Sequence, residues 1–169
     1  LEAWELPLLR RFPERVSTLL LGLVVVAVTG AMLFLYPLAN SGRLGPGSDR
    51  DEALDQATTS VLRGEYPYYQ ETYLHNPITP MPGALLLAVP FVALTGSSIW
   101  QIPLWLIAFV VVLRRWFFDS RLLLLLLLSV FMLAPKVDHE IVTGGDFVTN
   151  AMYVLVLFQF HFNLGLRGS

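Results

Sequence analysis

The 169-residue chain is 55% hydrophobic and 14% charged, with a mean hydropathy of +0.61, fractions that exclude an ordinary soluble domain and indicate an all-α integral membrane protein. A net charge of -2 spread over both signs leaves no basic field for nucleic acid. With no cysteine, disulfides, thiolate catalysis and cysteine-ligated metals are excluded.

The chain starts at Leu1 and ends in Arg167-Gly168-Ser169, as expected of part of a larger module. Leu1, Trp4, Leu8 and Phe12 recur beside Glu2, Glu5, Arg10 and Arg11, which predicts an interfacial amphipathic segment over residues 1–15, broken at Pro7. From Val16 to Leu38 there is no charge. At 1.5 Å per residue that run is about 34 Å of helix, enough to cross a hydrocarbon core of about 30 Å. It is also much longer than the apolar core of a signal peptide, so it reads as an uncleaved anchor, residues 16–38, with a cytoplasmic N-terminus.

Residues 39–82 form the long polar loop, and Gly47 to Pro82 is the longest polar passage in the chain. Ser48 or Asp49 suits a helix cap, and Glu52 lies three residues beyond Asp49, so a short helix is expected from Asp51 to Leu62. Leu54, Ala57, Thr58, Val61 and Leu62 make one apolar stripe, with Asp51, Asp55 and Thr59 on the other side, the pattern of a helix lying on a surface. Gly64 is the expected stop, with Pro67 beyond it. Tyr66, Tyr68, Tyr69 and Tyr73 interleaved with Pro67, Pro77, Pro80 and Pro82 read as an ordered loop at a membrane face.

Residues 83–164 hold the remaining helices, for about four to five transmembrane helices in one membrane domain. Gly83 to Gly96 is about 21 Å long and carries Pro90, so it suits an element that turns back as well as one that crosses. Ser97 to Leu113, Trp116 to Pro135 and Phe147 to Leu164 are the further spans, and Lys136 to Asp146 is a second polar stretch. Charge counting favours the turn. With Gly83 to Gly96 re-entrant, Arg10, Arg11, Arg15, Arg114, Arg115, Arg121 and Arg167 fall inside and Arg43, Arg50, Arg63 and Lys136 outside, seven against four. Both polar loops are then non-cytoplasmic.

The sequence order is one span, an acidic loop with Asp49 or Asp51 at the head of a short helix, Gly64 at its end, Pro67-Tyr68, Pro80-x-Pro82-Gly83, and later Pro135 with Gly144-Gly145-Asp146. This order resembles the amino-terminal part of the GT-C superfamily of polytopic membrane glycosyltransferases, less than half of a typical member. The resemblance implies sugar transfer from a polyprenyl-phosphate donor to an extracytoplasmic acceptor, in a bacterial or archaeal plasma membrane. It also implies that an acidic residue of the first loop, Asp49 or Asp51, takes the acceptor's proton. A carboxylate within hydrogen-bond reach can do so. The plain alternative for the pair is structural, Asp49 capping the helix and Asp51 favouring its positive end.

Substrate-binding candidates are Arg63, His75 and Lys136 for the lipid phosphate, Tyr68 for stacking on a sugar, and Asp138, His139 and Asp146 in the second loop. Each has a plain reading, as a snorkelling arginine, a turn-stabilising histidine or a headgroup-level tyrosine. Asp138-His139-Glu140 are neighbours without metal-ligand spacing, so no metal is expected, nor a further cofactor beyond the polyprenyl-phosphate-linked sugar donor. The expected partners are the lipid bilayer, the lipid-linked sugar and other membrane subunits. A second reading is a non-catalytic transmembrane accessory subunit derived from such an enzyme. A third is a small cofactor-binding membrane protein using His161 or His139.

Overall fold

The computed structural model describes residues 13–41, 48–117 and 119–167. Among these the elements are α1 (Glu14–Asn40), α2 (Arg50–Leu62), α3 (Pro82–Thr95), a 3-10 turn (Ser98–Trp100), α4 (Gln101–Phe117), α5 (Ser120–Leu133), α6 (Pro135–Val142) and α7 (Asp146–Arg167). The described residues contain no strand, and the loop after α2 is pinched by a lone antiparallel bridge between Glu71 and Pro77. Apart from residues 13–15, the expected interfacial segment over residues 1–15 lies outside the described residues.

Among the described residues two helices are long and apolar enough to cross a membrane, Glu14–Asn40 and Ser98–Trp116, and the pair Ser120–Leu133 with Pro135–Val142, bent by 85°, adds a third if taken as one span. α1 suits lipid, since Leu19, Leu23, Val26 and Phe34 lie exposed along it. Two boundaries differ from expectation. Trp116 and Phe117 belong to α4, and the next helix starts at Ser120, because the Asp119 carboxylate accepts the Arg121 N–H at 2.8 Å and caps a new helix there.

α2 ends where expected. Gly64 sits at φ +74, its N–H reaches the Val61 carbonyl at 3.0 Å and the Glu65 N–H reaches Ser60 at 2.9 Å, the paired closure that a left-handed residue permits. The start and the faces of α2 differ. Asp49 occupies the cap position but makes no side-chain cap bond, because its carboxylate is taken by the distant loop residues Thr72 and Asn76. Glu52 likewise turns outward, accepting from Gln56 at 2.7 Å and from the Tyr73 N–H at 3.0 Å.

Nor does α2 lie with its acidic side in water. Asp51, Ala53, Leu54, Ala57, Thr58 and Ser60 are all buried, whereas Leu62 is 48% exposed. The helix is covered from two directions. Ala84, Leu85, Ala88 and Val92 of α3 pack on Ala53, Leu54 and Ala57, small residues that let the two backbones approach closely. On the other side, the end of α1 and the α6–α7 junction enclose Asp51.

Both ends of α3 stay near α2. Met81, just before it, shares a pocket with Ala53, and just after it the Ser98 N–H donates to Asp55 Oδ1 at 2.6 Å. α4 therefore departs from the same end of the bundle as the polar loop, where Met32 packs with Ile99, Ile102 and Ile141. At the opposite end, Arg114 of α4 meets Glu14 and Thr18 of α1 at 3.2 Å each, and Thr18 is 3.0 Å from Ser120 at the head of α5.

Candidate functional site

The polar end of the bundle is assembled on α1. Tyr36 and Asn40 are one turn apart and share a face, and both side chains donate to Asp51 Oδ2, at 2.8 and 3.2 Å. Asp51, at 4% exposure, is thus a buried carboxylate with its donors supplied by the first long helix.

The second polar stretch closes over the same point. Gly144 has φ +75, and a Cβ there would lie 3.0 Å from the Tyr36 ring and 3.1 Å from the Asp51 Cβ, so the close approach requires glycine on both counts. At Gly145 a Cβ would collide with Glu140 Oε2, and the Gly145 N–H donates to the Glu140 carbonyl at 2.7 Å. Gly144 is therefore where the two loops touch, while Gly145 packs on Glu140 of its own stretch.

Arg50 bridges them. Its guanidinium is 3.5 Å from Glu140 Oε2 and 3.7 Å from Asp146 Oδ1. Glu140 Oε2 is buried and accepts no hydrogen bond, so its charge is offset through space by Arg50. Asp146 also accepts the Asn150 amide at 3.1 Å, one turn along α7. These side chains open onto a 240 Å³ pocket with a polar wall of Arg50, Asp146, Asn150 and Thr79 and an apolar wall of Ala53, Pro80, Met81 and Phe147.

Two carboxyls of the α2 region are shifted in opposite directions. Burial works to raise Asp49, but hydrogen bonds from Thr72 and Asn76 and the neighbouring Arg50 charge outweigh it and hold the carboxyl below its usual range. Burial raises Asp55, prevailing over hydrogen bonds from Ser98 and Ser97, and the Asp51 charge adds to the rise.

Of the residues singled out in the sequence, Asp146 lines the pocket, while Asp49 and Asp51 flank Arg50 on its own strand of chain. The others lie apart from it. Arg63 is exposed at the end of α2, and His75 is exposed at φ 58 beside Glu71 at 3.7 Å. The Tyr68 hydroxyl donates to the Pro80 carbonyl at 3.0 Å and its ring meets Tyr66, so it braces the loop. Lys136 and His139 are exposed on α6 and Asp138 is half-buried there. His161 is exposed on α7. Among the described residues no group of three or more His, Cys, Asp or Glu converges as metal ligands.

Sequence reasoning missed Arg50, Asn150, Tyr36 and Asn40. Three of these left a readable trace: Tyr36 and Asn40 are polar groups one turn apart at the end of an otherwise apolar helix, and Asn150 follows Asp146 by one turn. The pairing of Arg50 with residues 140 and 146 left none.

Comparison of the chain with protein-family models, curated proteins and solved structures finds no match.

Proposed function

We propose that this chain is the membrane part of a glycosyltransferase that moves a sugar from a polyprenyl-phosphate carrier to an acceptor on the non-cytoplasmic side. In this reading α1, α4, α5 and α7 cross the bilayer, α2, α3 and α6 lie at the non-cytoplasmic face, and the N-terminus is cytoplasmic. The observation that carries it is the meeting of the two polar stretches, through Arg50 with Glu140 and Asp146 and through Asp51 with Gly144, beside a pocket whose far wall runs into α3. Chemistry on a lipid-borne sugar needs hydroxyl-binding and proton-accepting groups at the edge of an apolar body.

The proton acceptor is a carboxylate at the head of α2. Asp49, partly exposed, is the more accessible of the two to an acceptor hydroxyl. Asp51, enclosed by Tyr36, Asn40 and Gly144, positions α2 against the second loop. Transfer from a radiolabelled polyprenyl-phosphate sugar in the membrane of the full-length protein tests this. Asp49→Asn should lower the rate by about 100-fold or more while the protein stays folded, because the amide keeps the shape and removes the basicity. Full activity in Asp49→Asn combined with Asp51→Asn would overturn the assignment of a base to this loop.

One observation favours the accessory-subunit reading. Asp51 and Glu140 are both buried and tied to neighbouring helices, a use of carboxylates that holds a fold together without chemistry. Wild-type-level transfer by a larger membrane partner carrying this chain as the double variant would establish that reading instead.

A further inference from the structure

We propose that the pocket between α2 and α7 takes a neutral, hydroxyl-rich ring, a single sugar unit, and does not take a phosphate. In naming which part of the substrate is held there, this rests on the transfer reading above.

Charge decides against the anion. Among the described residues Arg50 is the one cation on the pocket wall, and it is already shared between Glu140 at 3.5 Å and Asp146 at 3.7 Å, so the three groups carry a formal charge of -1. A phosphate drawn to the guanidinium would compete with Asp146 and the buried Glu140 oxygen for one positive charge and would add negative charge beside them. A cation faces the reverse obstacle, since Arg50 stands between the two carboxylates it would seek.

The hydrogen-bonding pattern suits a neutral diol. A guanidinium only donates and an ionised carboxylate only accepts, and these stand side by side as Arg50 and Asp146. Vicinal hydroxyls, each able to donate and accept, bridge such a pair. Neither Arg50 contact is as short as an ordinary charged hydrogen bond, so the guanidinium retains N–H groups for a ligand. The amide of Asn150 and the hydroxyl of Thr79 offer both functions.

The opposite wall completes the match. Phe147, 64% exposed, lines the pocket with Pro80 and Met81 beside it, and an aromatic ring has a negative π face to which the C–H face of a sugar ring is attracted. At 240 Å³ the pocket has the volume of about eight liquid waters, room for one six-membered sugar ring.

Saturation-transfer NMR on the purified protein, with a panel of neutral methyl glycosides at millimolar concentration, tests the assignment. Ring protons of at least one glycoside should receive saturation, and Phe147→Ala and Asn150→Ala should each weaken that binding about tenfold. Inorganic phosphate and choline should not compete. Arg50→Ala exposes Glu140 to an unpaired charge and is liable to unfold, so the two exposed-wall variants carry the test. The proposal is overturned if no glycoside binds, if phosphate or choline displaces it, or if the signal is lost in Tyr69→Ala and retained in Phe147→Ala, which would put the sugar on the exposed tyrosines. Glycoside binding with this mutational pattern, in a protein that transfers nothing from a polyprenyl-phosphate donor, would leave the pocket assignment standing and remove the enzyme.

Discussion

The Tyr36 hydroxyl donates to the Asp51 carboxylate at 2.8 Å and so fastens the last turns of α1 to the first turn of α2. Tyr36→Phe removes that donor and leaves the Asn40 amide donating to the buried oxygen. A hydrogen bond to a charged group contributes about 1.5–3 kcal/mol. The variant should melt several degrees lower in detergent. If Tyr36→Phe and Asp51→Asn prove additive rather than coupled, the contact has no energetic weight.

The glycines that end α2 and precede α7 should respond unequally to a methyl group. At Gly64 a Cβ has open space, so Gly64→Ala costs only the left-handed backbone, about 1–2 kcal/mol. Gly144→Ala adds contacts of 3.0 Å with the Tyr36 ring and 3.1 Å with the Asp51 Cβ, which brings a further overpacking cost of about 1–3 kcal/mol. Equal losses in thermal stability would mean that the two polar stretches are not pressed together at that point.

Acid should act on this protein through two opposed carboxyls. The Asp49 carboxyl is lowered in the fold, so its stabilisation is complete above the unfolded value of about 3.9 and is lost as pH falls through the folded one. The Asp55 carboxyl is raised, so its ionised form weakens the fold, and protonation relieves that weakness at a pH above the Asp49 window. On acidification from neutrality, Asp55→Asn should therefore start more stable than the wild type and show no early gain, whereas Asp49→Asn should show a shallower final loss. Melting curves across that range check both signs, and superimposable acid limbs for Asp49→Asn and wild type would contradict the first.

Because the sequence contains no cysteine, single cysteines report sidedness cleanly. Ser41, Tyr69 and His139 are exposed at the polar end, and Arg115 is exposed near the far end of α4. An impermeant thiol reagent applied to intact cells should label cysteines at 41, 69 and 139 and spare 115. Labelling at 115 with protection at 139 would invert the proposed arrangement of α4, α5 and α7.

How much of this was legible depended on distance along the chain. α1 announced itself through an uncharged run, and the end of α2 through Gly64, because both signals are local. The Asp49 cap was misread because its competitors, Thr72 and Asn76, lie more than twenty residues away and both donate to its carboxylate in place of the helix N–H groups. The faces of α2 were misread because a stripe marks the buried side only when one side is covered. Here α3 and the α1 end take opposite sides, and Asp51 is drawn inward by Tyr36 and Asn40. Asp146 was found through the double glycine before it. Arg50, between two aspartates, entered the sequence reading only as one of the outside charges, and its pairing with residues 140 and 146 depends on the fold.

That long reach also sets an order of events during synthesis. Asp51 finds Tyr36 and Asn40 within 15 residues of itself, as soon as the polar loop emerges. Arg50 must wait for Glu140, a separation of 140 - 50 = 90 residues, which at ribosomal rates is roughly 5 to 20 s. Through that interval the head of α2 is docked while its arginine is still exposed to water, so the pocket is the last part of the polar end to be finished, and a chain that stalls before α7 would display the loop without ever forming the cavity.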